Sequence, residues 1–204
     1  MKDDMIEKLN DKVTRLKSSA ATLRKSNPDC IVRTFEQTDN EVFEAISFKG
    51  TNHQLLNDIY SLIANIASLK DYLKQWCIRN DVTFSGDSVI NSSREAAIVH
   101  DLWNIEKHAL LDRWPRSGFA PHIGPIYQQL LDPDGTKTDG IQIKTNSYGG
   151  ADFANLRDEK LIARVCAKVL DDQNSEVGDI LDICDLAISA WSAAFRSVGV
   201  PVSV

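Results

Sequence analysis

The sequence predicts an α+β fold, a mainly α core of the four-helix type with a small, mostly antiparallel β-sheet. Three observations predict it. Apolar residues recur every three to four positions over several long stretches, the period of an amphipathic helix. Between those stretches lie short runs in which apolar and β-branched residues alternate, bounded by Asp, Asn, Gly and Pro. The 204 residues are 43% hydrophobic and 25% charged, ordinary for a globular domain. Neither repeats nor a Pro/Gly/Ser-rich linker divide the chain, so residues 1–204 read as a single domain.

The elements follow in order. Ile6, Leu9, Val13, Leu16, Ala20 and Leu23 are spaced 3, 4, 3, 4 and 3 apart, a seam of the coiled-coil type. Asn27-Pro28 stops this helix, because proline pushes its predecessor out of the helical region. The amphipathic helix within residues 1–27 is therefore a candidate for dimerisation as well as for packing. Cys30 to Thr38 and Glu41 to Lys49 alternate as strands around Asp39-Asn40, a pair that suits a hairpin turn. Thr51 and Gln54 form a capping box ahead of one long helix, with Leu55, Ile59, Leu62, Ile63, Ile66, Leu69, Leu73 and Trp76 on its stripe. That helix fades at Asn80-Asp81, and a polar loop containing Gly86 follows.

Ser92 and Glu95 make a second capping box. It opens a helix carrying Ile98, Val99, Leu102, Ile105 and Ala109 toward the core. Arg116 to His122 is a loop. Ile126 to Leu131 and Ile141 to Thr145 are strands, separated by the turn signal Asp132-Pro133-Asp134-Gly135. Residues 156–170 fit either period and lean toward strand. Val177 to Val198 keeps helical spacing to the end, and Gly199-Val200-Pro201 terminates it.

Composition narrows function. A net charge of −6 and a pI near 5.2 argue against wholesale nucleic-acid binding. Cys30, Cys77, Cys166 and Cys184 are far apart, with no CxxC pair. That spacing implies neither a zinc site nor a disulfide framework, hence no metal. The charged N-terminus lacks the apolar segment of a signal peptide, and no run reaches the length of a membrane span, so a cytoplasmic protein with no membrane association is expected. Gly149-Gly150 lies outside any phosphate-loop pattern, and no G-x-S-x-G or H-E-x-x-H signature occurs, so no cofactor is implied.

The residues with most chemical promise lie on the third long helix. At about 100° per residue, Asp101, Asn104 and His108 fall within roughly 60° of one another, at the margin of the apolar face. Polar groups in that position need hydrogen-bond partners. One reading makes His108 an acid, base or phosphate ligand, its tautomer set by Asp101 or Asn104. The other, favoured here, is a buried network that joins this helix to Asn57, Asp58 or Asn65 on its neighbour. Lys107, Arg113 and Arg116 run off the end of the helix and form a candidate anion site, with Trp114 available to stack; complementing the helix dipole is their simpler role. Asp179, Asp182 and Asp185 read as a solvated acidic face.

The D-x-x-N-x-x-K-H spacing of Asp101, Asn104, Lys107 and His108, on a helix that follows another long amphipathic helix, loosely resembles HEPN-like domains over about residues 52–116. Arg94 with His100, and Arg116 with His122, match the Arg-to-His spacing of that group. The resemblance implies an RNA-directed, toxin or defence setting, and a metal-independent ribonuclease if the protein is an enzyme. Without it, the residues favour a non-catalytic interaction or oligomerising module that pairs with itself or with another protein through its first or last helix.

Overall fold

The computed structural model describes residues 2–24, 31–38, 41–48, 52–109, 111, 113–131, 142–145, 151–154 and 162–202. The expected turns at Asp39-Asn40 and 132–135, the helix stop at Asn27-Pro28, the cap at Thr51 and the Gly149-Gly150 pair lie outside them.

The fold is α+β and mainly helical. Helix α1 (Lys2–Arg24) buries Leu9, Val13, Leu16 and Ala20 against helices of its own chain. These are α2 (Asn52–Ala67) and α6 (Ile180–Ser197). The 3.5-residue seam is thus an internal packing stripe. Ile6 and Leu23, at the two ends of the seam, are half-buried.

The stretch expected as one long helix is two, α2 and α3 (Leu69–Asn80). Ser68 breaks it: its hydroxyl donates to the Asn65 carbonyl at 2.7 Å. The Asn65 amide likewise donates to the Ser61 carbonyl. Side chains that compete for helix carbonyls in this way bend a helix. Helix α3 ends at Asp81, whose left-handed backbone brings the following Val82 N–H to the Cys77 carbonyl at 3.0 Å.

The polar loop around Gly86 is in fact a short helix, α4 (Gly86–Ser92). Ser85 caps it by accepting the Asp87 N–H, and Val89 and Ile90 are buried. Helix α5 (Arg94–His108) starts one residue later than the capping box implied. Ser93, not Ser92, accepts the Ala96 N–H at 3.2 Å, while the Ser92 hydroxyl is spent on the Val89 carbonyl that closes α4. Two adjacent serines both fit the pattern, and the preceding helix claims the first.

The strands are antiparallel throughout the described residues. β1 (Ile31–Thr38) pairs with β2 (Glu41–Phe48), placing Ile31 opposite Phe48 and Thr38 opposite Glu41. β3 (His122–Leu131) pairs not with β4 (Gln142–Thr145) but with β6 (Ile162–Leu170). β4 pairs with β5 (Ala151–Ala154). The lean toward strand in 156–170 holds for 162–170; residues 156–161 lie outside the described residues. β7 (Glu176–Asp179) adds to the other edge of β6, so the last helix begins at Ile180 and not at Val177. Asp179 explains the shift, since one carboxylate oxygen caps α6 through the Leu181 N–H at 2.9 Å and the other takes the Ala167 N–H of β6 at 3.1 Å. A single side chain fastens helix to sheet.

Helix α6 is the centre of the core. Leu181, Cys184, Ile188, Trp191 and Phe195 are buried, and the helix touches α1, α2, α4, α5, β6 and β7. Gly199, at φ +83°, turns the chain back so that Val200 N–H reaches the Phe195 carbonyl at 2.9 Å, a Schellman-type stop. Val200 and Val202 then cover the core, and the indole N–H of Trp76 donates to the Val198 carbonyl at 3.1 Å. Burial raises the thiol of Cys77 above its ordinary range and pushes that of Cys184 well above it, with the carboxylates of Asp185 and Asp179 adding to the effect at Cys184. Cys166 is buried too; Cys30 lies outside the described residues. No helix among the described residues is long and apolar enough to cross a membrane.

Candidate functional site

Helix α5 and the segment 113–121 that follows it form the site. Asp101, on the second turn of α5, is 1% exposed, and a carboxylate so placed must find donors. It finds them on the loop, not on α2: its Oδ2 accepts the Ser117 N–H at 2.8 Å, and the Ser117 hydroxyl also lies 2.8 Å away. That hydroxyl is equally close to the Phe119 carbonyl and gives its one proton to either. Burial is the largest single influence on the Asp101 carboxyl and would raise it. The adjacent His100 imidazole and the Ser117 donors together outweigh burial and hold the group below the usual aspartate range.

His100, with a side chain 12% exposed, stands 3.7 Å from Asp101 Oδ1, too far for a hydrogen bond. Its Nδ1 instead accepts from the Asn104 amide at 3.0 Å, one helical turn on. This contact leaves the ring unaligned with the carboxylate, unlike an Asp-His dyad, in which Nδ1–H donates to the acid.

The expected grouping of Asp101, Asn104 and His108 therefore does not form. Asn104 pairs with His100, and His108 is exposed in the last turn of α5. Angle around the helix placed the three together, but Asp101 and His108 are two turns apart along it, about 10 Å. Of the proposed partners on α2, Asn57 and Asp58 are exposed, and Asn65 meets Lys12 and the Ser61 carbonyl instead. Arg94 is exposed at the start of α5.

The cationic group divides as well. Lys107 and Arg113 are exposed, but Arg116 turns inward. Its guanidinium donates to Asn91 Oδ1 at 3.1 Å and meets Asp87 Oδ1 at 2.7 Å, and Lys70 Nζ reaches the same oxygen at 2.9 Å. The Lys70 hydrogen bond is the first cause that keeps the Asp87 carboxyl below its ordinary range; burial opposes it, and Arg116 adds to it. The two anchors are the central residues of one turn, closed by the Gly118 N–H on the Pro115 carbonyl at 3.2 Å, with Gly118 at φ +86°. The loop is thus tied to α5 through Ser117 and to α4 through Arg116, and Lys70 of α3 meets the same Asp87 oxygen.

Trp114, which precedes those anchors, is 80% exposed, against 65% for Ile78 and 55% for Leu186. Beside it an open groove of about 580 Å³ is lined by Ile105, Leu111, Arg113, Pro115 and Ala120. Arg113 takes no partner among the described residues. A second groove, about 350 Å³, runs between α1 and α2 past Ser18, Thr22, Asp58 and Asn65. Among the described residues no cluster of His, Cys, Asp or Glu is arranged to hold a metal. Asp182 and Asp185 are not simply a solvated face, since Arg24 at the end of α1 meets them at 2.7 and 2.8 Å.

Ser117, Asp87, Asn91 and Lys70 went unnoticed in the sequence. Ser117-Gly118 is a visible turn signal, but nothing local says that the turn serves a buried aspartate sixteen positions earlier. No family model, curated protein or solved structure matches the chain.

Proposed function

We propose that this chain is a non-catalytic interaction module that docks a partner protein at Trp114 and the groove beside it. The observation that carries the reading is an indole held 80% in solvent by a loop that two polar anchors fix in place. Leaving so large an apolar surface wet is costly. A fixed loop spares a partner the entropy of ordering it, and tryptophan is the residue type most enriched among binding hot spots. The polar residues of α5 support the same reading, because Asp101 and the His100–Asn104 pair are occupied with one another and with the loop.

Photocrosslinking in cells that make the protein tests it, with the reactive side chain at position 114 or, as a control, at the exposed Ser189. Discrete protein adducts at 114 and not at 189 are expected. Adducts only to RNA, or equal adducts at both positions, would overturn the reading.

The second reading is RNA binding or cleavage, as the HEPN-like resemblance implies. It draws on the cations Lys107 and Arg113 near an indole able to stack on a base. Purified protein compared with a His100→Ala/His108→Ala double variant tests cleavage; equal RNA degradation by both ends it. Pairing of copies through α1 or α6 would use their outer faces, where Leu186 is 55% exposed, since the inner stripes serve the core.

A further inference from the structure

We infer that the groove beside Trp114 takes an acidic peptide segment with a bulky aliphatic or aromatic anchor residue, and that Arg113 pairs with a carboxylate next to that anchor. The inference rests on the docking role proposed above and specifies the occupant.

Charge complementarity identifies it. The walls formed by Ile105, Leu111, Pro115 and Ala120 are apolar, and among the described lining residues the one charged side chain is Arg113, with no carboxylate beside it. The exposed titratable side chains in the last turn of α5 are Glu106, Lys107 and His108, and Arg113 is the cation set directly against the apolar walls of a chain with net charge −6. A guanidinium presents a planar fork of donors that fits a carboxylate, and Arg113 has no such partner among the described residues. The volume, about 580 Å³, lies within the range of pockets that hold small ligands, about 300–1,000 Å³, and admits one large side chain with its flanking backbone. Nucleic acid fits less well. A phosphate backbone is held by several cations in succession, whereas among the described lining residues there is a single arginine and the walls are mostly aliphatic.

The test uses the full chain and fluorescein-labelled peptides of about nine residues. Each has a central Leu, Phe or Trp, flanked by Asp and Glu, by Lys and Arg, or by Ser and Gly; single-stranded oligouridine is the fourth probe. Fluorescence anisotropy is expected to show the acidic set binding most tightly. Trp114→Ala should weaken it by about thirtyfold, as for a hot spot. Arg113→Glu should weaken it by about tenfold while admitting the basic set, since both side chains are exposed and neither change burdens the fold. Circular dichroism of each variant checks that point. Peptides of all three sets binding equally, with the loss at Trp114→Ala intact, would overturn the acidic occupant and leave the docking role standing. Oligouridine binding that depends on Trp114, with no peptide bound, would overturn both. No binding by any peptide set overturns the inference, and the crosslinking result then decides the docking role by itself.

Discussion

Asp101 shows how a residue's type and its burial together force a structure. A carboxylate with 1% exposure is tolerable only when donors surround it, and Ser117 supplies two of them from a segment that is otherwise open loop. Ser117→Ala removes the hydroxyl and spares the backbone N–H, so a loss of about 1 kcal/mol is expected. Asp101→Asn forces an amide into the same space and should cost more, about 1–3 kcal/mol. Urea denaturation measures both, and the exposed indole of Trp114 should shift its emission in each variant if the anchor positions the loop. The pH dependence has a definite sign. Asp101 and Asp87 both have carboxyls held below their ordinary range in the folded protein. Their stabilisation is therefore complete above the unfolded value, about pH 4, and is lost as pH falls through the depressed folded values. Asp87 is half exposed, and screening trims its share. Stability measured from pH 7 down to pH 2 should stay level to about pH 5 and then fall, and Asp101→Asn should flatten that fall. Much of this was legible from sequence: Asp101 and Asn104 were recognisable as polar groups at a core margin. Their partners were not, because periodicity reports which face a residue occupies and says nothing of which distant segment meets it.

At the scale of elements, periodicity located the helices and capping chemistry set their ends. The stripe on α1 is buried at Leu9, Val13, Leu16 and Ala20, so Leu9→Ala should cost about 2–5 kcal/mol through the cavity left behind. The loss should not vary with protein concentration, since the stripe packs within one chain. A concentration-dependent melting temperature in the variant alone would contradict that. Asp179 bridges α6 and β6, and Asp179→Ala should cost about 1–2 kcal/mol, the upper range for a lost cap, measurable by thermal melting. Where the sequence reading missed an element, a short-range competition was responsible. Ser68 and Asn65 divert helix carbonyls and split α2 from α3, Ser92 is spent on α4, and Asp179 begins a helix three residues after Val177 had already satisfied the helical pattern. Pattern reading cannot arbitrate between two hydroxyls one residue apart when both fit.

At the scale of the molecule, α6 organises the core, and α1 is clamped to it by the Arg24 guanidinium between Asp182 and Asp185. The outer side of α6 is one face through which copies of the chain would associate. Leu186→Ser should leave helicity and melting unchanged, because the side chain is 55% exposed. Sedimentation equilibrium of wild type and variant then decides whether copies meet there: a wild-type mass above 22.7 kDa that returns to the monomer value in the variant places the contact on this face. The loop 113–121 follows the C-terminal end of α5, tied to α4 and α5 by two polar anchors, and it is there that the molecule leaves its most exposed indole in solvent.

The sequence by itself determined the class of fold and the faces of the helices, because those depend on local spacing and on apolar surface avoiding water; within 156–170 it fitted either period and only leaned toward the strand that residues 162–170 form. Only the tertiary structure decided that β3 pairs with β6 and not with β4, that Ser117 meets Asp101, that Arg116 turns inward while Arg113 and Trp114 stay out, and that the seam of α1 is spent within its own chain. Those are contacts between residues far apart in the chain, and which of several chemically equivalent partners is reached depends on how the packed elements place them in space.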